Sequence, residues 1–299
     1  MKRHLILPKL ALLFGLLLPG ATALRPGCAA AATHHSVWKV EGKRSAVYLV
    51  GSVHVLKAEN YPLPAEIEAA FTNSAIAAFE TDIEAMQGPE TQLKLMGKAR
   101  LPEGETLAQQ VSPEVYAAFT NHLNEDGLPV VVFDQFKPAM AAFALLILDL
   151  QHLGFDPKFG LDKHFFDRAR KENKQIVALE TVDFQIGLAT QFSKEEGEAV
   201  MKWTMDDLDK LKQEYPDMLK AWQSGNSAQL EKMLNEGFQK VPKVFQRLVT
   251  DRNKRWLPKI EEWLQGDKNA VMIVGAGHLV GKEGVVELLR KKGLKVTQQ

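Results

Sequence analysis

Short apolar runs alternate with helical patterns along this chain, and the alternation predicts a sheet flanked by helices. The runs at 36–40 and 45–50 surround Glu41-Gly42-Lys43-Arg44, which is a hairpin turn signal. Further strands are predicted at 75–79, 130–133, 176–179 and 270–274, with an edge strand at 294–296. Because nearly continuous apolar runs are typical of strands buried on both faces, we expect a central sheet that is mixed or largely parallel.

Helix signals fill the spaces between these runs. Ser112-Pro113-Glu114 combines an N-cap residue with proline at the first helical position. Residues 138–150 are apolar on all sides, which predicts a buried helix that is too short to cross a membrane. The other helices are predicted at 64–71, 160–171 and 282–292, and residues 84–104 are predicted to be loop or broken helix.

Residues 193–265 differ in character from the rest of the chain. They are charged, follow a helical pattern and lack strand signals. Ser193 and Glu196 have the spacing of a capping box at the start of this segment. Because a strand pattern follows at 270–274, we interpret the segment as a helical insertion, or cover, within one α/β domain that spans residues 37–299.

The composition is that of an ordinary soluble globular protein, with 45% hydrophobic and 25% charged residues among 299. Lys and Arg together number 37, as do Asp and Glu, so the formal net charge is zero. The chain has no long basic stripe, which argues against nucleic acid as a partner. It also lacks H-E-x-x-H, G-x-S-x-G and C-x-x-C, which excludes the common zincin, α/β-hydrolase and thioredoxin interpretations. The spacing of Gly275, Gly277 and Gly281 is one residue longer than that of the dinucleotide-binding fingerprint, so no nucleotide cofactor is expected.

The first 32 residues have the pattern of a secretory signal peptide followed by a disordered junction. Lys2 and Arg3 precede a short apolar run at 10–18, and Ala21-Thr22-Ala23 resembles a cleavage site. The run is too short to span a membrane comfortably, so we expect a secreted or periplasmic protein without a membrane span. Lipid attachment at the single cysteine, Cys28, is the less favoured alternative.

Four polar residues lie just after predicted strands, in the order His, Glu, Glu, His. A G-x-x-H pattern ends in His54 and again in His278, while Glu80 and Glu180 each follow an apolar run and precede a threonine. In open α/β sheets, ligands bind outside the carboxyl ends of the strands, so we expect these side chains to meet at one edge. Two imidazoles and two carboxylates together would form a metal site or an acid–base site.

Several other polar residues have both a functional and a structural interpretation. Asp82 and Asp183 either support the site or cap the helices that follow them. Asp162 either contributes to the site or interacts with the dipole of the helix that it opens. Arg252 is either a surface cation or a group that clamps a carboxylate or stabilises an oxyanion. Three histidines fall on predicted helices and are not expected to be ligands, namely His122, His152 and His164.

Together these residues resemble the TraB/GumN family, which includes the animal TIKI proteases that cleave Wnt and shares a superfamily with the erythromycin-esterase and ChaN-like proteins. The matching segments are 49–54, 62–64, 79–82, 160–162, 178–181, Arg252-Asn253 and 274–278. Their order and spacing, over residues 38–290, carry the resemblance. It implies two related halves around a central sheet, and metal-dependent hydrolysis at both G-x-x-H histidines and the glutamates.

On this resemblance we predict that His54 and His278 hold a divalent metal, with Glu80 or Glu180 as the third ligand. The other glutamate would act as general base on a metal-bound water. Mixed His and carboxylate ligands suit manganese, cobalt or zinc. Arg252 would stabilise the anionic intermediate.

Asp82, Asp162 and Asn253 are predicted to hold supporting or substrate-binding positions. The predicted substrate is a peptide or protein, and the predicted activity is that of a peptidase. The alternative is a secreted binding module that holds a peptide or haem between the sheet and the helical cover. That alternative rests on the apolar helix at 138–150, with Met140 and Phe143, for which a plain hydrophobic core is the favoured interpretation.

Overall fold

The central element of the protein is a six-stranded sheet. The structure, a computed structural model, describes residues 34–235 and 241–299. The strands are Val37–Glu41 (β1), Ala46–Ser52 (β2), Ile76–Phe79 (β3), Gln175–Ala178 (β4), Ala270–Gly275 (β5) and Val296–Gln298 (β6). β1 and β2 form the predicted hairpin, in which Val37 lies opposite Val50 and Glu41 lies opposite Ala46.

The strand order across the sheet is β4-β3-β5-β2-β1-β6. β2, β5, β3 and β4 run parallel to one another, whereas β1 is antiparallel to both β2 and β6. This topology confirms the predicted mixed, largely parallel sheet. Since the four parallel strands point in the same direction, their carboxyl ends meet at one edge.

β5 occupies the middle of the parallel block, and all of its residues are buried. Ile273 lies opposite Val50 of β2 and Phe79 of β3, and Gly275 lies opposite Ser52. Phe79 in turn lies opposite Ala178 of β4. The ends of the four strands are therefore nearly level, so the residues that follow them emerge side by side.

Helices flank this sheet and connect its strands. The α-helices of the described residues are Ala65–Thr72 (α1), Ile83–Gln87 (α2), Pro89–Ala99 (α3), Leu107–Gln110 (α4), Pro113–Glu125 (α5), Val130–Phe133 (α6), Pro138–His152 (α7), Leu161–Lys171 (α8), Val182–Thr190 (α9), Lys194–Asp207 (α10), Leu211–Gln223 (α11), Ser227–Asn235 (α12), Pro242–Phe245 (α13), Asp251–Gln265 (α14) and Val285–Lys291 (α15). α10 to α14 form the helical segment predicted between β4 and β5.

The helix starts follow the capping signals in the sequence. α10 begins at the predicted capping box, in which the Glu196 N–H donates to Ser193 Oγ at 3.2 Å and the Ser193 N–H donates to Glu196 Oε2 at 3.1 Å. α5 begins with Pro113 directly after Ser112, whose side chain accepts from the Val115 N–H. α7 is buried along most of its length, from Ala139 to Leu150, as its continuous apolar sequence predicts.

The strand predicted at Val130–Phe133 is wrong, because these residues form the helical turn α6. Pro129 precedes the turn, and the Asp134 N–H donates to the Val130 carbonyl at 3.1 Å. Val131 and Val132 are 74% and 56% exposed, so the run does not supply a buried strand. A run of four apolar residues cannot by itself distinguish a strand from a helical turn.

Two other segments differ from their predicted boundaries. Residues 84–104 contain α2 and α3, which are separated at Gly88 and therefore correspond to a broken helix. The edge strand β6 begins at Val296, where the predicted one ends, and it pairs with β1. The carboxyl-terminal helix α15 begins at Val285, three residues later than predicted, because Gly284 is its N-cap.

The signal-peptide prediction for residues 1–32, including Cys28, lies outside the described residues. Within 34–235 and 241–299, no helix combines the length and the apolar character that crossing a membrane requires. Buried apolar side chains from Val37 to Val296 belong to one hydrophobic cluster, to which both the sheet and the helical segment contribute.

Candidate active site

The four predicted polar residues emerge from the four parallel strands at one edge of the sheet. Following the strand order, they are Glu180 after β4, Glu80 after β3, His278 after β5 and His54 after β2. The pairing of β3 and β4 continues past the strand ends, where the Glu180 N–H donates to the Glu80 carbonyl at 2.9 Å. The structure thus brings together side chains that are more than 200 residues apart in sequence.

Arg252 of α14 connects the two glutamates. Its Nε lies 2.8 Å from Glu180 Oε1, and its Nη2 donates to Glu80 Oε2 at 2.5 Å and to Glu180 Oε2 at 2.9 Å. Its Nη1 donates to the Leu248 carbonyl at 3.1 Å and contacts His278 Nε2 at 3.0 Å. Arg252 is fully buried, and each of its five N–H groups has an acceptor. It is therefore a buried clamp for carboxylates, as one of its two interpretations predicts, and not a surface cation.

His278 is fully buried and is held from both ring nitrogens. Its Nδ1 lies 2.7 Å from Asn253 Oδ1, while Arg252 donates to its Nε2. The amide oxygen of Asn253 can only accept, so Nδ1 must donate, and the guanidinium of Arg252 can only donate, so Nε2 must accept. The imidazole is therefore neutral with its proton on Nδ1. The Asn253 amide fixes the same loop by donating to the carbonyls of His278 at 3.1 Å and Glu283 at 2.8 Å.

His54 forms a separate pair with Asp162, the second residue of α8. His54 Nδ1 lies 3.0 Å from Asp162 Oδ1, and both side chains are largely buried. Ser52 Oγ donates to the same carboxylate at 3.0 Å and accepts from the Asp162 N–H at 3.2 Å. A carboxylate at this distance favours the imidazole tautomer that carries its proton on Nδ1.

Gly160 explains why this pair can form. A Cβ at position 160 would lie 2.4 Å from the His54 carbonyl oxygen, so only glycine lets the start of α8 approach this closely. The Leu161 N–H then donates to the Val53 carbonyl at 3.0 Å. The Gly160-Leu161-Asp162 segment is therefore a docking point between α8 and the exit of β2, and Asp162 has a site contact beyond its position near the helix N-terminus.

The helical segment between β4 and β5 supplies half of the site. Arg252, Asn253 and Trp256 all lie in the first two turns of α14, and the Trp256 indole N–H donates to Glu180 Oε1 at 3.1 Å. From α11, the Tyr215 hydroxyl donates to the Val55 carbonyl at 2.6 Å and the Trp222 indole N–H donates to the Gly51 carbonyl at 2.7 Å. These two bonds fix the backbone on either side of His54.

Burial and the ion pairs shift the pKa values of these groups in different directions. Burial alone would raise the pKa of the Glu80 carboxyl, but Arg252, His278 and His54 together lower it to about 2. Burial raises the pKa of Glu180 above its ordinary value, although Arg252 opposes the shift. Burial, aided by the charge of Arg252, lowers the pKa of His278 to about 3. Near neutral pH, Glu80 is thus ionised and His278 is uncharged.

The shifted pKa of His278 predicts a loss of stability in mild acid. The unfolded chain binds a proton at this residue below its ordinary pKa of 6.5, whereas the folded protein does so only near 3. The unfolded state therefore binds more protons between these values, and stability falls as the pH drops through that window. Between pH 7 and pH 5 we expect this residue to cost about 2 kcal/mol in the free energy of unfolding.

Urea unfolding at pH 7, 6 and 5 measures this effect. The His278→Asn variant should be less stable than the wild type at pH 7 but should lose less stability on acidification. His34→Asn, at an exposed position, should retain the full pH dependence. An identical pH dependence in wild type and His278→Asn would show that this imidazole is not the group responsible.

A cavity of about 80 Å³ lies beside His54. Its polar lining includes His54, Glu80 and Asp162, together with Lys163 and Gln185. Most of the remaining lining is apolar and comes from α2, α3, α7 and α9, with Ile83, Met86, Leu95, Met140, Phe143 and Ile186. A cavity that joins an apolar wall to a few converging polar groups is the usual form of a small-molecule or side-chain site.

A sequence model described as the TraB/PrgY/gumN family matches residues 36–298, which include every residue of the site described above. This chain belongs to the TraB/PrgY/gumN family. The uncharacterized protein YbaP of Escherichia coli (strain K12) is 24% identical over 243 residues, which are 81% of this chain and 87% of that protein. A protein of the same name from Shigella flexneri matches with the same identity and coverage. No solved structure matches the chain at a significant level.

The metal that the TraB/GumN resemblance implies does not fit the donor atoms at this edge as they are arranged. Both nitrogens of His278 are engaged, and the cationic guanidinium of Arg252 lies against both glutamates. Among the described residues, three ligand atoms within 4.8 Å of one another occur instead in His122, Asp126 and Asp149, at the carboxyl-terminal ends of α5 and α7. A ligand set of His54, His278, Glu80 and Glu180 stays a prediction.

Two of the remaining predicted residues, Asp82 and Asp183, lie near the starts of α2 and α9. Asp82 caps α2 by accepting from the Ala85 N–H at 2.9 Å, which is its structural interpretation. The N-cap of α9 is Thr181 and not Asp183. Asp183 instead forms an ion pair with Lys94 at the surface. The contributors that were not predicted from the sequence include Gln185, Ser52, Trp256 and Lys163. Gln185 lies on α9, which begins two residues after Glu180, and it donates to Glu180 Oε2 at 2.6 Å. Its closeness to Glu180 in sequence was the available signal.

Proposed function

We propose that this TraB/PrgY/gumN protein is a hydrolase in which His54 is the general base and Asp162 is its positioning partner. The observation that supports the proposal is the His54–Asp162 pair, with 3.0 Å between Nδ1 and Oδ1, in the wall of a cavity at the carboxyl edge of a parallel sheet. An imidazole oriented through one nitrogen by a buried carboxylate is the arrangement that general-base catalysis requires.

In the proposed reaction, His54 Nε2 accepts a proton from a water molecule as the water oxygen attacks an acyl carbon. The resulting tetrahedral anion collapses, the bond to the leaving group breaks, and the imidazolium returns the proton to that group. With a peptide as substrate, the products are a carboxylic acid and an amine. The Asp162 carboxylate stabilises the imidazolium.

The Arg252 network has a positioning role in this proposal. Because all donors of Arg252 already have acceptors, it holds the two glutamates and keeps His278 neutral behind the cavity. Lys163 lies in the cavity wall next to Asp162, and its Nζ donates to Asp167 Oδ2 at 2.7 Å. Because an ammonium group has three N–H donors, we assign Lys163 the role of cation for the developing oxyanion. The sequence alone favoured Arg252 for that task.

The apolar wall of the cavity supports a peptide or protein with an apolar side chain next to the scissile bond as the substrate class. Met86, Met140 and Phe143 line the space beside His54. Methionine side chains adapt their shape, which suits a site that accepts several apolar residues. A secreted or periplasmic location, as the pattern in residues 1–32 suggests, would place the enzyme among extracytoplasmic peptides.

The Asp162→Asn variant tests the role of the pair. An asparagine amide can donate to His54 Nδ1, which would move the imidazole proton to Nε2 and remove the basic nitrogen from the cavity. We expect kcat to fall by about 100-fold with KM nearly unchanged. The measurement is peptide hydrolysis, followed by mass spectrometry on a library with varied apolar residues.

Asp206→Asn is the matched control, because it makes the same substitution in an exposed i,i+4 ion pair with Lys202. It should leave kcat unchanged. A merely structural role for Asp162 would lower the amount of folded protein and leave the pH profile of the remaining activity unaltered. If Asp162→Asn hydrolyses peptides at the wild-type rate, the proposed pairing has no catalytic role.

The apolar lining of the cavity also favours a second candidate function, a binding module for a peptide or haem. His54 accepts a proton in the proposed hydrolase, whereas in a binding module it would only line the cavity. A binding module would retain peptide in the cavity without turnover, or would give a Soret band when haem is added. Hydrolysis that depends on His54 supports the enzyme.

A further inference from the structure

A second cluster of ionisable side chains lies away from the sheet edge, between α5 and α7. His122 lies in the last turn of α5, and Asp126, four residues later, is the C-cap of that helix. Asp149 and His152 are three residues apart at the end of α7. His122 Nε2 lies 3.0 Å from Asp149 Oδ2 and 3.5 Å from Asp126 Oδ2. His152 Nδ1 lies 3.8 Å from Asp126 Oδ2. Each helix thus presents one imidazole and one carboxylate to the other.

The charges of this cluster are incompletely balanced within the described residues. The ion pairs of Asp126 and Asp149 are made with His122 and His152 alone, with no lysine or arginine in the described ranges close enough to pair. Asp149 is 12% exposed, and its Oδ1 is buried without a hydrogen-bond partner among the described residues. A buried carboxylate oxygen without a partner is costly unless a cation or a donor satisfies it.

The donor types and their spacing fit a divalent transition metal. The ligand atoms of His122, Asp126 and Asp149 all lie within 4.8 Å of one another. Zinc binds histidine nitrogen and aspartate oxygen at about 2.0–2.2 Å, so ligand atoms around one ion lie roughly 3–4 Å apart. We propose that His122, Asp126 and Asp149 bind one divalent transition-metal ion, and that zinc is the metal that suits them best.

Such an ion would tie the end of α5 to the end of α7. Met140, near the start of α7, lines the cavity beside His54. Phe143, also in the cavity wall, is six residues before Asp149, or about 9 Å along the helix axis. The proposed ion is therefore remote from the reacting groups, and its role would be to fix the helix that forms part of the cavity wall. The inference is independent of whether His54 catalyses hydrolysis.

Zinc uptake by the full chain tests the inference. Protein treated with chelator and desalted is equilibrated with 10-fold excess zinc at about 10 µM and desalted again, and bound metal is measured by atomic emission. We expect about one zinc per chain in the wild type, and a rise in melting temperature of about 5 °C with zinc present. Asp149→Asn and His122→Gln should each weaken zinc binding at least about tenfold and abolish the shift.

Two control variants separate this site from other histidines. His34→Gln, at an exposed position, and His54→Gln, at the sheet edge, should both retain the zinc. Asp126→Asn changes a side chain that is 30% exposed and provides a third test, which holds if either of the other cluster variants fails to fold. The inference is overturned if the wild type binds no more zinc than His122→Gln, or if zinc is lost only in His54→Gln.

Discussion

We expect replacement of Arg252 by methionine to lower the free energy of unfolding by about 3–5 kcal/mol, the largest stability effect of any substitution considered for this protein. Arg252 is fully buried and is the cation that both Glu80 and Glu180 contact. Methionine fills part of the same volume but leaves two carboxylates without their partner. An uncompensated buried charge is what makes the loss of one member of a buried ion pair costly.

Urea unfolding, followed through tryptophan fluorescence, measures this change. Lys254→Met is the matched control, since Lys254 is two residues away on the same helix, 58% exposed, and 3.8 Å from its partner Glu283. An exposed pair of this kind contributes little, and we expect a change within about 0.5 kcal/mol. The triple variant Arg252→Met, Glu80→Gln, Glu180→Gln should recover at least about 1 kcal/mol relative to Arg252→Met, because it removes the unpaired charges.

Equal stabilities for Arg252→Met and Lys254→Met would contradict the description of Arg252 as a buried clamp. A triple variant less stable than Arg252→Met would show that the cost arises from lost packing and not from unpaired carboxylates. The comparison therefore separates the electrostatic contribution of the network from the volume of the arginine side chain.

The pattern of apolar runs was sufficient for the sheet but not for every strand. β1, β2, β3, β4 and β5 were predicted to within a few residues, because each contains an apolar run bounded by turn or capping residues. The prediction that these runs are buried is wrong for β4, which lies at the edge of the sheet and is exposed or half-buried. The error at Val130–Phe133 arose from a run with the composition of a strand but only one helical turn of length. Strand order was not predictable, since nothing local places β5 between β2 and β3.

The position of the site followed from the strand ends, whereas its internal pairing did not. His54, Glu80, Glu180 and His278 were recognisable because each follows an apolar run. That Arg252 joins the two glutamates and that Asp162 pairs with His54 depends on how α14 and α8 dock, which is a long-range contact. Helical spacing could also have indicated the cluster of His122, Asp126, Asp149 and His152. Each of its two halves, however, contains only two ligand-type side chains, which is too few to predict a metal site from the sequence.

We expect the His54→Gln variant to hydrolyse peptides about 1,000-fold or more slowly than the wild type, the largest functional effect. Glutamine keeps a polar side chain of similar reach but has no basic nitrogen, so it cannot accept the proton from water. The decrease should appear in kcat, with KM changed little, because substrate binding in the apolar cavity does not depend on proton transfer. Initial rates on the best peptide of the library measure both constants.

His34→Gln is the matched control for this variant, as it makes the same substitution at an exposed histidine. Its activity should equal that of the wild type. Unfolding in urea establishes that His54→Gln is folded, and binding of an uncleaved peptide analogue establishes that the cavity remains accessible. Wild-type turnover by His54→Gln would remove His54 from the reaction altogether.

In the proposed reaction, the His54–Asp162 pair activates the water, and no metal at the sheet edge takes part. The decisive measurement is the rate of peptide hydrolysis after complete removal of divalent metal. The assay uses Asp149→Asn, in which the proposed metal cluster between α5 and α7 is disabled, and compares it with the same variant carrying His54→Gln. We expect that Asp149→Asn hydrolyses peptides at the same rate before and after chelation, and that the double variant Asp149→Asn, His54→Gln does not reach this rate. Loss of activity on chelation, with recovery on adding manganese, cobalt or zinc, would contradict it.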